Sequence, residues 1–65
     1  MNTATVAELG AAAEAIGDYG RRVRALTNAV PAERDDLLTA IVEAERSLAV
    51  AERAIRRAVK VASIP

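Results

Sequence analysis

Carboxylates, guanidinium groups and one phenol are the chemically capable side chains of this chain. Cys and His are absent, which removes disulfides, thiolate nucleophiles, the usual zinc ligands and the usual base near neutral pH. Glu45 and Glu52 stand seven residues apart, in line with Leu38 and Val59. Two such Glu from each of two chains would supply part of a di-metal bundle site, but the Glu-x-x-His that completes one is missing. We therefore expect no metal, and read Glu45 and Glu52 as ion-pair partners for Arg on a neighbouring chain. Asp35-Asp36, and Glu43 with Glu45, are adjacent or two apart. On a helix such pairs point in different directions, so they make no acid-base couple. Neither a catalytic residue nor a cofactor is expected.

Two basic groups remain. Arg21, Arg22 and Arg24 sit together, and Arg53, Arg56, Arg57 and Lys60 form a patch late in the chain. Phosphate contact is the chemistry they offer. Pairing with nearby acids, and placement at a helix C-terminus where the dipole favours cations, suffices for most of them. Tyr19 is the sole aromatic and the formal net charge is zero, from nine basic and nine acidic residues. Nucleic-acid binding, which draws on excess positive charge and stacking rings, is disfavoured. No phosphate loop is present, because the glycines are not followed by Lys-Ser/Thr.

The elements that carry these residues are helices. In the second half Ile41, Leu48, Ile55 and Ala62 recur every seventh residue, as do Leu37, Ala44, Ala51 and Ala58. Interleaved, they give the 3-4 spacing of an apolar seam. Ala40, Ser47 and Ala54 flank the alanine row, making one edge of the seam small enough for a partner backbone to come close. In the first half Leu9, Ile16, Val23 and Val30 recur at seven, joined by Ala12, Tyr19 and Leu26. Gly10, Ala13, Gly17 and Gly20 make a second, small-residue groove beside that seam. Each glycine costs ~1 kcal/mol against Ala in a helix interior, so close packing against another helix is the expected compensation.

Helix ends follow from local signals. Thr5-Val6-Ala7-Glu8 fits a capping box, with Met1 to Ala4 frayed. Asn28 suits a left-handed helix end, and Pro31 suits the first turn of a second helix, where Glu33, Asp35 and Asp36 crowd the positive end of the dipole. The spacing predicts a first helix over about 6–28, a turn at 29–31 and a second helix over about 32–62. A connection this short folds the two antiparallel. That orientation brings Arg21, Arg22 and Arg24 near Asp35, Asp36 and Glu43, and Glu8 and Glu14 near Arg53 and Arg57.

The fold class expected is all-α, a single helical-hairpin domain over residues 1–65. Sixty-five residues bury only ~60% of their unfolded surface, and two helices leave part of each seam wet. The seam residues Leu9, Ile16, Tyr19, Val23 and Leu26, with Leu37, Ile41, Ala44, Leu48, Ala51, Ile55 and Ala58, are expected to find further cover. A homo-oligomer answers this, two hairpins making a four-helix bundle; docking on an unidentified protein partner would bury the same surface. In architecture the paired heptads resemble the small RNA-binding helical-hairpin dimers of plasmid copy control, the Rop type. No motif accompanies the resemblance. It implies a nucleic-acid contact from one basic helix face, an alternative to a plain protein-interaction module. No run of apolar residues approaches the ~20 of a membrane span, no secretory signal is visible, and a cytoplasmic location is expected. Eight Arg against one Lys, with sixteen Ala, point to a GC-rich genome such as that of an actinobacterium or its phage, where an accessory or host-interaction factor would fit.

Overall fold

Asn2 starts the first helix. In a computed structural model, which describes residues 2–65, its backbone is extended and its side-chain oxygen accepts from the Ala4 N–H at 2.7 Å. Helix α1 then runs Thr3–Ala25. Thr5 and Glu8 consequently lie inside the first turns rather than forming a capping box. Asn is as good an N-cap as any residue, and it wins here by offering a start three residues earlier. Met1 lies outside the described residues.

The far end of α1 tightens into a 3-10 turn over Leu26–Ala29. The Thr27 hydroxyl donates to the Arg24 carbonyl at 2.7 Å, satisfying one of the carbonyls that every helix end leaves open. No non-glycine residue among those described has positive φ, so Asn28 does not end the helix in the left-handed form. Val30 is extended (φ −84°, ψ 126°), as steric conflict with the Pro31 ring requires. Pro31 does not open the second helix. It begins a turn closed by the Arg34 N–H donating to the Pro31 carbonyl at 3.0 Å.

Helix α2 runs Asp35–Ala62, 28 residues or ~42 Å at the standard rise. It starts three residues later than the heptads suggest. Asp35 and Asp36 occupy its first turn, where the dipole stabilises negative charge. Arg34 precedes it without a side-chain cap and instead grips Asp36 at 3.0 Å. That guanidinium holds the Asp36 carboxyl below the usual carboxylate range, helped by the Leu37 backbone N–H.

The two helices form an antiparallel hairpin. Gly20 meets Leu48, Gly17 meets Glu52, Arg24 reaches Glu45 and Glu14 reaches Arg56, so sequence order reverses between them. The molecule measures 53 × 13 × 9 Å. Buried positions are few: Ala13 has no exposed surface and Gly17 is buried. No strand occurs among the described residues, and no helix is long and apolar enough to cross a membrane.

Candidate interaction surface

The side of α1 turned to α2 follows the small residues. Val6, Gly10, Ala13, Gly17, Gly20, Val23 and Thr27 are buried or half-buried along one stripe. On α2 the facing stripe interleaves Ile41, Leu48, Ile55 and Ala62 with Glu45, Glu52 and Val59, all half-buried. The inner partner of the Ile41 row is thus the row of Glu45 and Glu52, one register position from the alanine row expected there. A glycine face explains the rotation. With no Cβ at Gly17, the Glu52 carboxylate can lie directly over the helix backbone; a Cβ there would stand 3.0–3.2 Å from it. Gly20 leaves room for Leu48 at ordinary van der Waals distance, whereas nothing lies within 4 Å of a Cβ at Gly10.

Glu45 and Glu52 each have an Arg partner within the chain. Glu52 accepts from Arg56 at 2.9 Å, Arg56 also reaches Glu14 at 3.7 Å, and Glu45 pairs with Arg24 at 3.7 Å. Arg21 pairs with Asp18 on its own helix. The antiparallel orientation sets unlike charges opposite each other, through these residues. Arg22 and Arg24 do not pair with Asp35, Asp36 or Glu43, and Glu14 meets Arg56 rather than Arg53 or Arg57. The interhelix pairs fall on one side of the hairpin, around a small hollow of about 140 Å³ lined by Gly17, Gly20, Arg21, Arg24, Glu45 and Glu52, with Ile16 and Leu48 reaching it from between the helices. We call it the charged flank.

The opposite side is apolar. Leu9, Ile16 and Val23 are half-buried at its centre, while Ala12, Tyr19 and Leu26 are exposed. Tyr19 and Leu26 show 53% and 55% of their surface. Beside them α2 presents Leu37, Ala44, Ala51 and Ala58, then Ala40, Ser47, Ala54 and Val61. Only Ala51 and Ala58 of these are half-buried; the rest are exposed. At the open end this flank dips into a hollow of about 610 Å³ lined by Leu9, Ala54, Ala58 and Val61, with Arg57 and Ile64 at its rim. Near Tyr19 the Arg22 guanidinium stands 5.1 Å from the ring centre, a cation-π distance that holds the ring on the surface.

Other groups do not converge. Arg56 belongs to the charged flank, Arg57 borders the apolar one, and Arg53 and Lys60, seven apart, lie on the outer face of α2. Leu38 and Val42 emerge by register on the charged side near the turn. Among the described residues no three metal-ligating side chains cluster. No family model matches the chain, and no curated protein or solved structure matches it.

Of the expected seam, Leu9, Ile16, Val23, Ile41, Leu48, Ala51, Ile55 and Ala58 are half-buried, and Tyr19, Leu26, Leu37 and Ala44 are exposed. The signal that separates the two was present in the sequence: where a glycine stripe and a leucine stripe adjoin, the glycine stripe admits the closer backbone.

Proposed function

We propose that this protein is a non-enzymatic helical-hairpin interaction module that self-associates through its apolar flank, two hairpins making a four-helix bundle. One observation carries the reading. The hairpin's own contact fully buries only Ala13 and Gly17 among the described residues, and leaves Tyr19, Leu26 and Val61 of its apolar flank more than half exposed. Its surface is 4963 Å², against about 4,000 Å² for a compact monomer of its mass by the usual scaling. The excess follows from the elongated shape, 53 × 13 × 9 Å, in which Tyr19, Leu26 and Val61 of the apolar flank each expose more than half of their surface. Adjoining exposed apolar side chains on a monomer mark association sites.

A second copy suits the flank because the flank's charges are self-complementary. By register Glu8, Ala15 and Arg22 form the outer edge of α1, and Asp36, Glu43, Val50 and Arg57 that of α2. Each edge is acidic at one end and basic at the other, so a copy turned over the flank can oppose unlike charges.

Sedimentation equilibrium of single variants tests this. Ala51→Glu and Tyr19→Glu place charge on the apolar flank and should raise the dimer Kd by at least ~100-fold, the scale of leaving a charge buried and unpaired. Arg21→Glu, on the charged flank, should leave it within a few-fold. Equal effects from both flanks would refute the assignment of the interface.

A further inference from the structure

The apolar flank is not uniform across its width. Its α1 half carries the large side chains: Tyr19 and Leu26 stand exposed, and Leu9, Ile16 and Val23, half-buried, line the side toward α2, together forming a ridge by register. Its α2 half is a groove floored by Ala40, Ala44, Ser47, Ala51, Ala54 and Ala58. At the standard rise the ridge spans ~26 Å and the groove ~27 Å. Larger residues close the groove at both ends, Leu37 toward the turn and Val61 toward the open end; they are 37% and 63% exposed.

Resting on the self-association proposed above, we infer that the dimer's twofold axis runs parallel to the long axis of the hairpin. Each copy's α1 ridge then seats in the other's α2 groove, and both turns lie at the same end. A rotation about that axis keeps every residue at its own height. Within the chain Gly20 is level with Leu48 and Gly17 with Glu52. A second copy's Tyr19 therefore arrives between Ser47 and Ala51, and its Ile16 between Ala51 and Ala54. A second copy's Leu9 enters the hollow beside Ala58 and Val61. Large side chains meet small ones at every layer, which is how close-packed cores fill space. The rim is compatible: Arg22 arrives level with Arg46 and about one turn from Glu43, and Glu8 level with Lys60 and about one turn from Arg57.

An axis perpendicular to the hairpin would set ridge against ridge and groove against groove. Leu9, Ile16, Tyr19, Val23 and Leu26 would hold the α1 pair apart while the alanine rows faced each other across a channel. The rim charges accept either axis. The difference in side-chain size decides.

The chain lacks Cys, so Ala32→Cys in the exposed turn carries a single nitroxide label, and pulsed electron-spin resonance reads the distance between two turns. The inferred axis gives a distance under roughly 30 Å, an interhelical spacing of ~10 Å plus the reach of two labels. A distance near the 53 Å length of the molecule overturns the axis and leaves self-association standing. A helical monomer with no intermolecular distance overturns both. A second pair of variants reads the layer directly. Ala51→Phe should weaken association at least tenfold, and adding Tyr19→Ala in the same chain should restore most of it, because each Phe then replaces the ring it displaced. Failure of Tyr19→Ala to rescue a folded Ala51→Phe chain would place the two residues in different layers and contradict the inference.

Discussion

At the residue scale the contact between Gly17 and Glu52 fixes which faces the helices share. Relief of glycine's helix cost is worth about 0.5–1 kcal/mol wherever a methyl group fits. Gly10→Ala, with nothing within 4 Å of the new Cβ, should gain that amount in a denaturant melt. Gly17→Ala should gain much less or lose, because its Cβ would press a carboxylate tied to Arg56 at 2.9 Å. Glu52→Ala should then restore most of the benefit of Gly17→Ala, an interaction measurable in a double-mutant cycle. Equal gains at Gly10 and Gly17 would mean that Glu52 does not lie over α1. The N-terminal cap separates two adjacent signals as cleanly. Asn2→Ala should cost ~1 kcal/mol, while Thr5→Ala, with its hydroxyl in no capping bond, should stay within ~0.5 kcal/mol. Asp36 adds a pH test. Its carboxyl titrates low because Arg34 and then the Leu37 N–H stabilise the charged form. A depressed folded pKa gives stability present above the unfolded value of ~3.9 and lost as pH falls through the folded one. Arg34→Ala should move the Asp36 titration back up, as followed by NMR.

At the scale of elements, the existence, type and antiparallel order of both helices were legible in the chain. Heptad spacing, the Val30-Pro31 break and the early-acidic, late-basic charge order all act locally and survive tertiary packing. The ends were less legible. Asn2 and Thr5 both offer a cap, and the choice depends on whether the chain before Thr5 can continue as helix. Pro31 is compatible with both a helix start and a turn; the turn prevails because Arg34 closes back on the Pro31 carbonyl. The rotation of each helix about its axis was hidden most deeply. Counting bulky residues assigns Leu9, Ile16 and Val23 with the alanine row to the seam, whereas closest approach is set by Gly17 and Ala13. The charged flank then adds orientation more than strength. Glu14→Arg, facing Arg56, should cost under ~1 kcal/mol, as exposed pairs do, and the cost should fade in 1 M salt, where screening reaches ~3 Å. A salt-independent penalty would point to lost packing instead.

At the scale of the whole molecule, two helices whose contact buries few side chains completely make an incomplete core. Ala13 is the one hydrophobic residue buried among those described, and most of the large apolar side chains keep one side open. Association is one route by which short chains without disulfides reach stability, and the ridge and groove of the apolar flank supply a surface for it. Folding and association should therefore be linked, with a melting temperature that rises with protein concentration. The most direct measurement is native mass by light scattering over a hundredfold concentration range, with helicity followed in parallel. A mass of two chains, with helicity falling together with it on dilution, is the expected result. A monomer that stays fully helical across the range would show that the hairpin is complete alone, and would contradict self-association through the apolar flank.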